Sequence, residues 1–231
     1  MEKKLAKIVL AFLFAFPFYA QAVTFTSDAN IQAGNSWMNV DIYDTSPNHT
    51  TVTMTGGSIT DQMNVYNAST LNMSGGYVLG LVALENSTVN ISGGSVGGLS
   101  LRDNATATIS QNASIGVAGV GDSSVFNMNG GTIDYLGVGD NSIINLRGGT
   151  IIDYLGADFF ATVNVFGYNL AKTDIGGTHG AGQVTGFWQD GSTFTINLSG
   201  TDTYSTINLI PEPATLLLLG IGTFLLRKSH K

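Results

Sequence analysis

Between Thr51 and Leu170 the apolar residues of this chain return in short alternations. Thr70-Leu71-Asn72-Met73-Ser74, Thr88-Val89-Asn90-Ile91-Ser92, Val125-Phe126-Asn127-Met128-Asn129 and Ile143-Ile144-Asn145-Leu146-Arg147 each carry apolar side chains at the second and fourth places. A period of two predicts strands with one buried and one wet face. A Gly-Gly pair closes the alternation, at Gly56-Gly57, Gly75-Gly76, Gly93-Gly94, Gly130-Gly131 and Gly148-Gly149. Glycine reaches backbone angles that other residues resist, so each pair predicts a tight corner. Successive pairs lie 19, 18, 37 and 18 residues apart, and the long step is a double one with Gln111-Asn112-Ala113 at the missing corner. A second apolar place follows at Ile59, Val78, Val96, Ile115, Ile133 and Ile151 or Ile152, then a third group at Leu81-Ala83, Leu99-Leu101 and Leu136-Val138.

Three short apolar sides per 18 or 19 residues describe one coil, and one coil cannot enclose a core. Stacking places the same position of each repeat over its neighbour, so Leu71, Val89, Ala107, Phe126, Ile144 and Val163 become one buried ladder. The expected fold is all-β, a parallel β-helix of about seven coils, roughly 34 Å long at a strand spacing of about 4.8 Å. Eighteen residues per coil also fit a left-handed hexapeptide helix. The apolar places fall at intervals of 2, 5 and 3 rather than every six, which favours the right-handed form. A β-sandwich is disfavoured because hairpins do not require one register throughout. The repeats occupy 51–170. Residues 23–50 are expected to form an N-terminal cap in which Trp37, Val40 and Ile42 cover the open core. Residues 171–209 are expected to form a C-terminal cap of strands near 183–188, 193–198 and 204–209, joined by Asp190-Gly191 and Ser199-Gly200 turns.

Charge narrows the possible partners. Six of the 9 basic residues lie at the two ends, so only Arg102, Arg147 and Lys172 stand among fourteen of the 16 acids between Val23 and Ile210. Such a surface repels nucleic-acid phosphates, and neither nucleic acid nor anionic lipid is an expected partner. With Cys 0, disulfide frameworks, thiolate metal sites and cysteine nucleophiles are excluded.

The ends carry addresses. Residues 1–22 run from Lys3, Lys4 and Lys7 through an apolar stretch to Ala20-Gln21-Ala22, as a secretory signal peptide does, with cleavage expected after Ala22. Pro17 interrupts the stretch, which argues against a retained anchor helix. At the other end, residues 210–231 hold Pro211-Glu212-Pro213, thirteen uncharged residues over 214–226, and a basic tail led by Arg227-Lys228. As a helix, 214–226 would span roughly 20 Å, short against a hydrocarbon core of about 30 Å. The basic tail would stay on the cytoplasmic side. This order closely resembles the bacterial PEP-CTERM sorting signal, with Pro211, Glu212, Pro213, Arg227 and Lys228 at its motif positions. His230 and Lys231 stand where a longer arginine run is usual. The resemblance covers about the last 22 residues. It implies export, a transient transmembrane helix, processing by an exosortase-type membrane enzyme, and a destination at the cell surface of a bacterium that makes exopolysaccharide. The Trp188-Gln189-Asp190-Gly191-Ser192 wording also resembles the membrane-proximal region of chains bearing this signal.

Candidate chemistry in the body is sparse. No Ser-His-Asp set or basic cluster is visible, and His49 and His179 have no ligand-spaced partner, so catalytic residues are not expected. Glu85, Asp103, Asp122, Asp140 and Asp158 recur every 18 or 19 residues and form one acidic column on stacked coils. Calcium is the cation such a column would take; repeated Asx corners are the favoured account, since no run resembles the nonapeptide calcium repeat. Asp134-Tyr135 and Asp153-Tyr154 repeat once, offering aromatic rings to a sugar. The wet face of short polar groups, Thr51/Thr53/Thr55 to Thr106/Thr108/Ser110, is a flat grid that would suit polysaccharide or ice, or is simply what a solvated strand tolerates. The expected function is that of an exported, non-enzymatic surface or matrix rod associated with exopolysaccharide. The alternatives are a carbohydrate-active enzyme on the same solenoid, using Asp134 and Asp153, and a calcium-stabilised binding module.

Overall fold

The computed structural model describes residues 22–45 and 47–212. The expected apolar helix over 214–226 lies outside them, as do Ala20, Pro213, Arg227 and Lys228. Among the described residues no helix is long and apolar enough to cross a membrane.

The chain is an all-β solenoid of about seven turns, wound in parallel coils about 19 residues apart. Strand β1 (Val23–Phe25) starts the stack, and β2 (Ala29–Ile31) with β3 (Ser36–Ile42) forms the first coil. Single long strands trace the next two coils, β4 (Thr51–Val65) and β5 (Thr70–Ala83). The same path breaks at the glycine corner into β6 (Thr88–Ile91) and β7 (Ser95–Leu101), then β8 (Thr106–Ile109) and β9 (Ser114–Val120). It is continuous again in β10 (Val125–Val138) and β11 (Ile143–Ala157).

Every coil pairs in parallel register with the next. Val52, Leu71, Val89, Ala107, Phe126, Ile144 and Val163 are successive partners and all are fully buried. Ile59, Val78, Val96, Ile115, Ile133 and Ile151 form the second row. Between the two isoleucines, Ile151 is the buried one, while Ile152 is 57% exposed. The first coil is longer: Val40 pairs with Met63, because the segment holding Pro47-Asn48-His49 is inserted before β4. Val40 and Ile42 are buried as expected, and Trp37 meets the Phe25 ring edge-on at 6.0 Å.

The glycine corners exist because coils touch there through backbone. Gly76 sits at φ 93°, and a Cβ on it would lie 2.8 Å from the Gly56 carbonyl oxygen. At the corner without a glycine pair, Gln111 takes the left-handed conformation at φ 52°.

The return corner hides an unexpected row. Ser69, Ser87, Ser124 and Ser142 are fully buried, in line with Ala105 and Ala161. Ser124 Oγ donates to Gly121 O and Ser142 Oγ to Gly139 O, both at 2.5 Å. A serine hydroxyl thus closes its own turn, which is why a polar residue survives inside the wall. Ser87 Oγ and Thr50 Oγ1 are buried without a partner.

The C-terminal cap turns the stack's end into a small antiparallel sheet. Strand β12 (Thr162–Thr173) starts as a coil strand, then pairs with β13 (Gln183–Phe187), which pairs with β14 (Thr193–Ser199). Trp188, 5% exposed, stacks on Phe194 at 3.8 Å and donates from Nε1 to Gly149 O at 3.0 Å. The alternation over 204–209 predicts a strand throughout; instead one helical turn, α1 (Thr203–Thr206), precedes β15 (Ile207–Pro211). Buried Thr203 is the reason: its hydroxyl accepts Ala157 N–H at 2.8 Å and lies within reach of the Ala157 carbonyl. Lys172 Nζ then donates to the Tyr204 and Ile207 carbonyls at 3.0 and 2.9 Å. Arg147 lies over the Phe166 ring at 4.0 Å, so two of the three central bases pack into the cap.

Candidate functional site

The acidic column is a hydrogen-bonded ladder. Glu85, Asp103, Asp122 and Asp140 all occupy left-handed backbone, φ 56° to 60°, at the second position of their turns. A residue there points its N–H along the rod axis, where the sheet ladder offers no acceptor. The carboxylate of the next coil supplies one. Asp103 Oδ2 accepts Glu85 N–H at 2.9 Å, Asp122 Oδ2 accepts Asp103 N–H at 3.0 Å, and Asp140 Oδ2 accepts Asp122 N–H at 2.9 Å. Glu85 Oε2 in turn accepts Asn67 N–H at 2.6 Å.

Asp158 departs from the column by one place. Val138 pairs with Ala157, so Asp158 lies under Gly139, and Phe159 occupies the place under Asp140. Its Oδ2 still reaches Asp140 N–H at 2.9 Å, while Oδ1 accepts Phe160 N–H at 3.1 Å. Among the described residues no three Asp, Glu or His side chains are grouped to hold a metal ion.

The wet face of the first side is also bonded along the axis. Asn90 Nδ2 donates to Asn72 Oδ1 at 2.9 Å, Asn145 to Asn127 at 2.9 Å and Asn164 to Asn145 at 3.0 Å. These amides bond one another along the rod, as in other stacked asparagine ladders.

On the third side the outer surface hollows. One outward row reads Asn64, Val82, Ser100, Gly119, Gly137, Gly156 and Ser199 in register. The neighbouring row, at the first position of each turn, shrinks in the same coils from Tyr66, Leu84 and Arg102 to Gly121 and Gly139. Where both rows lose their side chains, a groove of about 830 Å³ opens. Tyr135 and Tyr154 form one wall, their ring centroids 4.5 Å apart and tilted by 47°. Asp122, Asp140 and Asp158 form the other, Arg102 stands at one end, and Gly200, Thr201 and Asp202 of the cap close the opposite end. The Tyr135 ring leans over the floor: a Cβ on Gly137 would meet its Oη at 2.7 Å. Burial, then the adjacent Tyr154, push the Tyr135 phenol up from 10.0, so it stays a neutral hydroxyl donor at physiological pH.

The groove therefore brings together two features that the sequence presents separately, the acidic column and the Tyr repeat. Asp134 and Asp153 are not paired there. The register breaks between Ile133 and Tyr135, so Asp134 faces Ile152 and Asp153 across a bulge. Asp153 Oδ1 is engaged by His179 Nε2 at 2.9 Å, and the His179 ring packs on Tyr154 at 4.2 Å. His49 Nδ1 likewise meets Asp44 Oδ2 at 3.0 Å. Both histidines have carboxylate partners, which the sequence spacing did not disclose. Comparison with protein-family models, curated proteins and solved structures finds no match.

At the described C-terminus, Pro211 ends β15 opposite Gly167, and Glu212 N–H donates to Gly167 O at 3.0 Å. An edge strand tolerates proline because its missing N–H faces away from the sheet. Ala22, at the other end, immediately precedes β1.

Proposed function

We propose that this chain is an exported, non-enzymatic protein of the cell surface or extracellular matrix, a rigid right-handed rod associated with exopolysaccharide. The secretory leader delivers it across the inner membrane, and an exosortase-type enzyme processes the PEP-CTERM signal. The observation that supports this reading is the placing of the two addresses against the fold. Strand β1 begins one residue after Ala22, and the cap runs up to Glu212, leaving Pro213 alone between the folded rod and the uncharged stretch 214–226. A rod so short-tethered stands on the membrane until the signal is processed, then is free to enter the matrix.

Intact mass from envelope and medium fractions of a PEP-CTERM-processing host tests it. A mass starting at Val23 and ending near 211–213 is expected outside the cell. Full-length protein with the tail retained in the medium would overturn the assignment. Co-sedimentation with the host's exopolysaccharide tests the association separately.

A further inference from the structure

The groove on the third side contains glycines that the fold does not need. Gly119 and Gly156 are absent from the left-handed region of the backbone. A Cβ on Gly119 would have its nearest neighbour at 4.0 Å, and one on Gly156 at 3.6 Å, ordinary contact distances. A half-buried strand position occupied by glycine where alanine fits is destabilising, because glycine loses more backbone freedom on folding. What the glycines do is keep a floor bare beside the Tyr135–Tyr154 wall, next to the coils of Gly119 and Gly137 in which the turn row is also reduced to Gly121 and Gly139.

We propose that this groove is a binding site for a run of uncharged sugar units, a proposal that rests on the polysaccharide-associated reading above and gives it a place on the rod. Sugars present alternating C–H faces and hydroxyl rims. The tilted tyrosine pair offers apolar faces with a phenol at the edge, and the facing carboxylates offer acceptors for hydroxyl donors. The second oxygens of Asp122 and Asp140 carry no bond among the described residues and are open to such donors, while their Oδ2 atoms hold the corner amides in place. The wall holds Asp122, Asp140, Asp158 and Asp202 against Arg102 alone, so a uronate or sulfated chain is repelled. An extended peptide is disfavoured because the floor strands already pair on both sides in the parallel ladder and present no free edge.

Affinity electrophoresis of the folded 23–212 segment, its fold first verified by circular dichroism, tests this in gels cast with dextran, hydroxyethylcellulose, galactomannan, alginate or polygalacturonate. Retardation is expected in at least one of the three neutral glycans and in neither uronate. Tyr154→Ala should weaken it at least fivefold and Gly156→Val, which fills the floor, by a similar factor. Tyr77→Ala, which removes an exposed ring elsewhere on the rod, should leave it unchanged. If Tyr154→Ala disturbs the fold, Asp140→Asn replaces it: the amide oxygen still accepts Asp122 N–H, and a two- to threefold loss is expected. Retardation by uronates only, no retardation in any neutral glycan, or equal retardation of wild type and Gly156→Val would each overturn the groove. Displacement by polylysine at equal strength would instead mark an acidic surface for basic peptides. Co-sedimentation of Gly156→Val with host exopolysaccharide separates the two levels: retained association with a failed groove moves the contact elsewhere, and lost wild-type association removes the wider reading.

Discussion

At Ser87 the rod carries a buried hydroxyl without a partner, in a row where the equivalent residues of other coils are Ala105 and Ala161. A desolvated, unbonded polar group destabilises, so Ser87→Ala is expected to be neutral or to stabilise by up to about 1 kcal/mol. Ser124→Ala, which removes a hydrogen bond to Gly121 O, should cost about 1 kcal/mol; urea midpoints of the two variants read the contrast. The Tyr43–Tyr66 stack, 4.4 Å between centroids, makes a second residue-level prediction. Burial, then the bond and charge of Tyr43, push the Tyr66 phenol from 10.0 up to about 12. The folded state thus holds this proton more tightly than the unfolded chain. Its contribution is complete below pH 10 and is lost as pH rises through 12. The wild-type urea midpoint should fall across that window, and Tyr66→Phe should fall less steeply. The acidic column predicts indifference to metal: each carboxylate from Glu85 to Asp158 holds a neighbouring amide, so melting temperature should be the same in calcium and in chelator. A rise confined to calcium would restore the coordination reading.

Among the elements, the cap between β12 and β14 is the one that covers the end of the solenoid, because an uncovered last coil presents open strand edges. Trp188 fastens it through the Gly149 carbonyl and the Phe194 ring. Trp188→Ala should cost roughly 3–5 kcal/mol and expose the coil end, seen as association in light scattering. Trp188→Phe keeps the stack and loses one hydrogen bond, about 1 kcal/mol. The coils themselves were legible in the sequence because the inward places of the strands are apolar and each glycine pair fixes its phase. What was hidden had a physical cause in every case. The run from Tyr204 to Leu209 reads as one strand, and only the bond of Thr203 to the distant Ala157 backbone turns its start into a helical turn. The serine row is polar in type and buried by geometry. Asp158 keeps an 18-residue spacing from Asp140 although its coil has gained a residue, so spacing alone placed it in the column. The groove depends on two rows shrinking together, at positions such as Gly119 and Gly121 that no hydrophobic period marks.

For the molecule as a whole, stacking in a single register makes stability a sum over neighbouring coils rather than a property of one centre. Deleting residues 70–87 tests this. The cut joins Ser69 to Thr88 at a turn that already reads Ser87-Thr88, and it removes one full repeat. Thr51, now paired with Thr70, would pair with Thr88, and Val52 would lie on Val89, apolar on apolar as before. At the corner, Asp103 Oδ2 would accept the Asn67 N–H that Glu85 now satisfies. The shortened chain should fold cooperatively, with a rod shorter by one strand spacing of about 4.8 Å in small-angle scattering. Its denaturant slope should fall in proportion to the surface removed. The groove lies entirely in coils beyond the cut, from Ser100 onward, so glycan retardation should match that of the parent. A deletion that unfolds the protein would show that the removed coil is itself required, and that stability is not a simple sum over neighbouring coils. One that folds but loses the groove would tie the Tyr135–Tyr154 wall to coils it does not touch.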